Sequence, residues 1–83
     1  MTPVYLDLGA SRPRSTLCAL VGANCRARRG KLGLSQAELA RNTEVAASHI
    51  SNLENGKANP TLSLLVQLAE GLNCTVPDLL EGS

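Results

Sequence analysis

The chain has 83 residues, of which 43% are hydrophobic, and a formal net charge of +1. This length provides one compact domain with a single core and leaves no room for a second. Phe and Trp are absent and Tyr5 is the only aromatic residue, so the core has to be built from aliphatic side chains and cysteine. Such a composition favours helices packed through aliphatic stripes.

The three cysteines, Cys18, Cys25 and Cys74, lie among apolar residues and form no CxxC pair. Their odd number and spacing indicate neither a disulfide framework nor a zinc site, and we expect buried free thiols in a reducing compartment. His49 is the only histidine, and no carboxylates cluster at ligand spacing. The sequence therefore predicts a protein without metal or cofactor.

The first 20 residues lack the apolar run of a secretion signal, because Asp7, Arg12, Pro13 and Arg14 interrupt them. No later stretch approaches the roughly 20 apolar residues of a membrane span. We therefore expect a soluble, cytoplasmic protein.

The small net charge hides an uneven distribution along the chain. Residues 1–31 hold six basic residues against one acid, Asp7, whereas the charged residues within 58–83 are all acidic. Two interpretations stay open on charge alone: a surface that faces a polyanion, or a solvated basic helix face.

The first 14 residues predict an N-terminal arm. Within them Val4, Leu6 and Leu8 alternate with Tyr5 and Asp7, as in a short strand, and an arm without regular structure is the equal alternative. Residues 15–83 then form the predicted domain.

Two helices are predicted next. The first begins near Ser15, has an apolar stripe and a basic last turn, and is ended by Gly30 and Gly33 near Leu34. The second begins at Ser35, which forms an S-x-x-E capping box with Glu38, and is interrupted at residues 42–44.

Three further elements complete an all-α, five-helix domain. A helix over residues 46–54 is predicted to end at Asn55-Gly56 in a left-handed turn. Thr61 caps a fourth helix that ends near Asn73, and Thr75 caps a last short turn over residues 76–81.

The second and third helices, joined by a short turn, have the form of a helix-turn-helix unit. From about Leu17 to Leu80 the chain resembles the Cro/C1-type (Xre) DNA-binding domain of temperate-phage repressors and small bacterial regulators. The residues that carry the resemblance are RARRGKLGLSQAELA (26–40), Ile50, LENGK (53–57), Pro60 and the run LLVQLAEGL. It implies a compact lambda-repressor-like fold in which the helix over 46–54 enters the major groove of double-stranded DNA.

The resemblance also implies roles for single residues. Gln36 is expected at a phosphate, and so are Asn55, Gly56 and Lys57, with Asn55 and Gly56 contributing mainly main-chain N–H groups. For Asn55 and Gly56, helix termination is an alternative role that is compatible with phosphate contact.

The recognition helix has its own expected contacts. Ala47, Ser48 and Asn52 are expected at base edges, where Asn can bond adenine N6 and N7 together and an Ala methyl can meet a thymine methyl. His49 has two open interpretations, a DNA contact or no specific role.

Arg29 and Glu54 are expected to form an ion pair that ties the first helix to the third. Three positions depart from the family pattern: Thr43 replaces an aliphatic residue, Glu44 replaces a left-handed Gly, and Ala46 replaces a Ser or Thr cap. The conformation of the turn at Thr43 and Glu44 is therefore open.

The apolar surplus near the C-terminus suggests a symmetric contact in a homodimer, formed by Leu64, Val76, Leu79 and Leu80. Completion of a small core is the alternative, especially for Val76 and Leu79. The N-terminal arm pairing with its copy is another way to form a dimer.

These patterns predict a homodimeric, sequence-specific transcriptional regulator that occupies an operator. The alternative is an antitoxin or adaptor-type module that uses the same fold to hold a protein partner. An enzyme is not expected, because the sequence has no nucleophile-base set and no Gly-rich phosphate loop.

Overall fold

A computed structural model describes the backbone of residues 14–81 and the side chains of residues 17–81. The described range holds five α-helices and no strand: α1 Arg14–Lys31, α2 Gln36–Thr43, α3 Ala47–Glu54, α4 Leu62–Gly71 and α5 Val76–Leu80. The all-α, five-helix prediction is confirmed. The predicted arm lies outside the described residues apart from Arg14, which begins α1.

Side-chain caps that the sequence predicts set the starts of α2, α4 and α5. Ser35 Oγ accepts a hydrogen bond from the Glu38 main-chain N–H at 3.0 Å, and the Glu38 carboxylate accepts one from the Ser35 N–H at 2.8 Å. Hydrogen bonding to Ser35 also holds the pKa of Glu38 below its ordinary value. Thr61 caps α4, and Thr75 and Asp78 form a second capping box at α5. The predicted caps at these three helices are confirmed.

The helix ends depend on residues with positive φ. Gly33 and Gly56 adopt φ values of 70° and 72°, and Asn73 adopts 56° beyond the end of α4. Gly30 does not end the first helix as predicted, because α1 continues through it to Lys31. The left-handed turn that reverses the chain is at Gly33.

Every described helix contributes to one aliphatic core. Its largest fully buried side chains are Cys25, Leu39, Ile50, Leu53, Leu68, Leu72 and Leu79. Burial, followed by the negative charge of Glu54, raises the pKa of the Cys25 thiol to about 12, so this thiol stays protonated at neutral pH. Cys25 is a packing residue.

Some residues of the predicted dimer contact are buried in the core. Leu79 is fully buried and Leu64 is buried, Val76 is half-buried, and Leu80 is exposed. A side chain packed in its own core is not available to a second copy in this conformation. For Leu79 and Leu64 the burial favours the alternative interpretation, completion of a small core, because helical spacing alone does not separate a core face from a contact face.

The helices α1 and α3 approach closely at a glycine. A Cβ atom on Gly22 would overlap the main-chain carbonyl oxygen of Leu53, and it would lie 3.1 Å from Glu54 Cα. The absence of a side chain at residue 22 therefore sets the distance between α1 and the last turn of α3.

The turn between α2 and α3 keeps a left-handed residue although it lacks glycine. Glu44 adopts φ 61° and ψ 25°. The Thr43 hydroxyl is buried and donates to the Leu39 carbonyl oxygen at 2.7 Å, which explains how a polar side chain replaces an aliphatic one. Ala46 precedes α3 without a side-chain cap. The turn therefore forms, although Glu44 has a strained backbone conformation and α3 begins without a side-chain cap.

The close approach at Gly22 gives a first prediction. Gly22→Ala should lower the free energy of unfolding by about 1–3 kcal/mol, the usual range for overpacking. Gly30→Ala is the matched control, because a Cβ atom there would meet no atom within 4 Å and alanine favours the helix by about 0.5–1 kcal/mol. Urea unfolding measures both. Equal effects of the same sign would contradict this account.

The turn gives a second prediction. Glu44→Gly should raise the free energy of unfolding by about 1 kcal/mol, because glycine adopts positive φ without the steric conflict of a Cβ atom. Glu44→Ala retains the Cβ atom and should give no comparable gain. If the alanine variant gained as much in urea unfolding, removal of the charge and not relief of the backbone would explain the effect.

Candidate nucleic-acid interface

The helix α3 presents one face to the core and another to solvent. Ile50, Leu53 and Glu54 are buried, whereas Ala47, Ser48, His49 and Asn52 are exposed. Ser48 and Asn52 are one turn apart and therefore lie on the same side of the helix. Together they offer a hydroxyl and an amide, groups that can donate to and accept from base edges.

In the segment after α3, the main-chain N–H groups of residues 55–57 are hydrogen-bonded to carbonyl groups of α3. Asn55 N donates to Ser51 O at 3.1 Å, Gly56 N to Leu53 O at 3.0 Å and Lys57 N to Asn52 O at 2.9 Å. These hydrogen bonds end the helix, which is the alternative role given for Asn55 and Gly56, and phosphate contact at these residues stays a prediction. The exposed side chains of Asn55 and Lys57 remain as donors.

Gln36 stands at the first residue of α2 and is half-buried. Its side-chain Nε2 donates to Glu54 Oε1 at 3.0 Å. A glutamine amide carries two N–H donors, so one is left for a ligand while the other fixes the direction of the group. The amide thus links the start of α2 to the end of α3.

A buried carboxylate joins the three elements of this surface. The Glu54 side chain is fully buried, and it accepts from Arg29 Nε at 2.7 Å and from Arg29 Nη2 at 2.9 Å. Arg29 Nη1 also donates to the Leu34 carbonyl oxygen at 2.8 Å. This bidentate geometry orients both side chains. Through it, α1, the loop before α2 and the last residue of α3 are held in one arrangement, as the resemblance implied for Arg29 and Glu54.

The protonation of Glu54 reflects two opposed effects. Burial raises the pKa of Glu54, but the hydrogen bonds from Arg29 and Gln36 and the positive charge of Arg29 outweigh it, so the pKa lies below its ordinary value. The hydrogen bond to Glu54 likewise raises the pKa of Arg29. The pair is therefore ionised at neutral pH.

Arg26 belongs to the same surface and was not singled out from the sequence. Its Nη2 donates to Asn55 Oδ1 at 3.3 Å, and its Nε lies 3.6 Å from Glu54 Oε1. Its spacing of three residues from Arg29 places both on one face of α1, which is the signal that would have indicated it. The Asn55 side-chain oxygen therefore points toward Arg26, and the Asn55 amide N–H groups point away from α1.

The basic residues of α1 serve more than one purpose. Arg29 is committed to Glu54, and Arg28 Nη2 lies 3.8 Å from Asp78 Oδ1 at the start of α5. Lys31 is exposed. Part of the basic charge concentrated in residues 1–31 therefore holds helices together, and only the remainder is available to attract a polyanion.

The described residues lack two features that would indicate other kinds of site. No helix within residues 14–81 is both long and apolar enough to cross a membrane. In the same part of the chain, His, Cys, Asp and Glu side chains form no group of three that could hold a metal ion.

The Glu54 site gives a prediction for acid pH. Because the pKa of Glu54 is lower in the folded chain than its ordinary value of 4.5, its stabilising contribution is complete above that value and is lost as the pH falls through the folded pKa. Glu54→Gln should reduce the free energy of unfolding at pH 7 and flatten its fall toward pH 3. Urea unfolding across that range measures this, and parallel curves for the two proteins would contradict it.

A model of the helix-turn-helix family HTH_3 matches residues 26–79. The HTH-type transcriptional regulator DdrOP3 of Deinococcus deserti is 39% identical over 54 residues, which are 65% of this chain and 42% of that protein. Control protein C.SmaI of Serratia marcescens is 38% identical over 61 residues, 74% of this chain and 73% of that protein. The chain thus spans less than half of DdrOP3 and most of C.SmaI.

Solved structures of other proteins share the fold of this chain. The hypothetical transcription factor NHTF from Neisseria superposes with a TM-score of 0.77 at 30% identity, covering 83% of this chain and 79% of that one. The restriction-modification controller protein C.AhdI from Aeromonas hydrophila gives a TM-score of 0.72 at 29% identity, covering 75% and 94%. With the family match across residues 26–79, these likenesses show that the chain belongs to the Cro/C1-type helix-turn-helix family of DNA-binding transcriptional regulators.

Proposed function

We propose that this chain is a sequence-specific transcriptional regulator that binds a double-stranded DNA operator as a homodimer, with α3 in the major groove. The observation that carries the proposal is the exposed polar face of α3, which the buried Arg29 and Glu54 pair holds against α1 and the start of α2. A recognition helix has to be rigidly held if its few side chains are to meet base edges.

The exposed residues divide by the contacts that their chemistry allows. On α3, Asn52 and Ser48 would bond base edges, the Ala47 methyl would meet a thymine methyl, and His49 would donate to a phosphate or to guanine N7. Because Ala47 and Ser48 are small, DNA shape would contribute much of the selectivity.

The phosphate contacts would flank α3 on both sides. Gln36 donates from the start of α2 with its remaining amide N–H. Asn55 donates through its side chain and Lys57 through its ammonium group. These contacts would fix the register of the helix without reading sequence. Arg26 would orient the Asn55 amide, given their 3.3 Å contact.

The small size of α3 supports the proposal of a homodimer. One helix of eight residues reads only a few base pairs, and two copies gain affinity from two half-sites about one turn apart. Of the four residues first predicted for the contact, Leu80 is exposed and Val76 is half-buried. The exposed apolar side chains of α4, Leu62 and Val66, lie one turn apart and offer a better contact surface.

Selection from a randomised duplex library, followed by binding of the selected duplex across a salt series, tests the proposal. We expect a pseudo-palindrome with half-sites about 10 base pairs apart and a steep loss of affinity with salt. Absence of enrichment, with weak binding that hardly responds to salt, would contradict operator binding and favour the module that holds a protein partner.

Single substitutions separate the two kinds of contact. Asn52→Ala should remove about 1–3 kcal/mol of discrimination at one base pair of each half-site, because it deletes a base contact. Lys57→Ala should weaken all duplexes similarly and lower the salt slope by about one. Competition binding against single-base variants of the selected site measures both. Parent-like behaviour of both variants would show that α3 docks differently.

The dimer contact has its own test. Leu62→Ser removes a side chain that is 70% exposed in one chain, so it should leave folding intact while weakening self-association. Sedimentation equilibrium should show a shift toward monomer, and affinity for the full site should fall toward that for a half-site. Leu32→Ser, at an apolar residue exposed at the end of α1, is the control. Equal behaviour of the two variants would place the contact elsewhere.

A further inference from the structure

Two arginines of α1 share the buried carboxylate of Glu54. Arg29 donates to it through two hydrogen bonds of 2.7 and 2.9 Å, whereas Arg26 approaches it with Nε at 3.6 Å. One negative charge therefore faces two positive charges, and α1 contains no Asp or Glu that could neutralise the second. The cluster of Arg26, Arg29 and Glu54 thus carries one net positive charge.

This surplus charge lies at the surface, on Arg26. The Arg26 side chain is 58% exposed, whereas that of Arg29 is 18% exposed and that of Glu54 is fully buried. A guanidinium group has five N–H donors. Within the described residues, the contacts of Arg26 with Glu54 Oε1 and Asn55 Oδ1 occupy one donor on Nε and one on Nη2. The other three donors can bind a ligand that carries negative charge.

We propose that Arg26 binds a phosphate group of the DNA backbone directly, beside the side chains of Asn55 and Lys57. Such a contact requires the proposed docking of α3 on DNA and adds to it a charged ligand from α1. The planar guanidinium fork can bind two phosphate oxygens at once. Arg26 lies 3.3 Å from the Asn55 side chain, and Lys57 is exposed two residues further along, so the three groups surround the same end of α3.

Glu54 Oε1 also connects Arg26 to Gln36, the phosphate donor proposed on α2. Gln36 Nε2 donates to this oxygen at 3.0 Å, and Arg26 Nε lies 3.6 Å from the same atom. The two nitrogen atoms are thus separated by no more than these two distances laid end to end, which is well below the length of α3, about 12 Å. Arg26 from α1 and Gln36 from α2 can therefore reach the same stretch of one DNA strand.

A salt series with the selected duplex and the full 83-residue chain tests the direct contact. Arg26→Met should lower the slope of log affinity against log salt by about 0.9 for each bound copy of the chain, because one phosphate is no longer neutralised. Arg26→Gln, which also removes the charge, should give the same result. Arg26→Lys retains the charge and should retain the parental slope, although it loses the planar fork.

Lys31→Met is the matched control. Lys31 is also an exposed basic residue of α1, but it lines a separate depression with Asp78 and Glu81 of the C-terminal part of the chain. Its substitution should leave the salt slope unchanged. Urea unfolding of each variant verifies that the chain is folded under the binding conditions.

A second comparison separates direct contact from orientation of the Asn55 amide. With Asn55→Ala present, Arg26→Met should still lower the affinity and reduce the salt slope by the same amount, because the guanidinium itself binds the phosphate. If substitution of Arg26 has no effect in that background, Arg26 acts only through Asn55, and the direct contact is excluded.

Two further results would overturn the contact while leaving operator binding in place. One is a steep parental slope that Arg26→Met and Arg26→Gln do not change, and the other is an equal reduction by Lys31→Met. A parent chain whose binding hardly responds to salt would contradict operator binding itself, and the Arg26 contact with it. The two failures are therefore distinguishable from the parental slope.

Discussion

The position of α3 relative to α1 and α2 depends on one buried carboxylate. Glu54 ends α3, and its side chain is fully removed from solvent, where an unpaired charge would be strongly destabilising. Arg29 from α1 neutralises it through two hydrogen bonds, and Gln36 from α2 supplies a third. Any movement of α3 relative to α1 or α2 would break at least one of these bonds. The charge therefore specifies a single orientation of the helix, whatever it contributes to net stability.

Backbone contacts complete what the ion pair begins. Gly22 lets α1 lie directly against the carbonyl of Leu53, one residue before Glu54. At the other end of α3, Glu44 maintains a left-handed turn at a steric cost, and Ala46 provides no side-chain cap. The start of α3 is thus held less firmly than its end. Small residues, Ala47 and Ser48, stand at the start of α3, whereas Asn52, the one side-chain amide on its exposed face, lies nearer the end that is fixed.

The sequence predicted those features whose causes are local. Capping boxes at Ser35 and Thr75 and left-handed residues at Gly56 and Asn73 depend on neighbours within a few positions, and they appear where expected. The family model matches residues 26–79, which include all the expected DNA-contact residues. Features that depend on tertiary packing were not accessible. Leu79 is buried in the core of its own chain, the N–H groups of Asn55 and Gly56 are bonded to carbonyl groups of α3, and Arg26 of α1 contacts Glu54 at the end of α3.

If the Arg29 and Glu54 pair orients α3 more than it stabilises the fold, replacing both partners should separate the two effects. Arg29→Met alone should lose about 3–5 kcal/mol, because it leaves Glu54 buried and unpaired. Arg29→Met combined with Glu54→Leu should recover most of that loss. If the pair sets orientation, the double variant should unfold with nearly parental stability and still bind the selected operator at least about tenfold more weakly, a difference of about 1.4 kcal/mol. Parental operator affinity in a stable double variant would show that the pair does not set the orientation of α3.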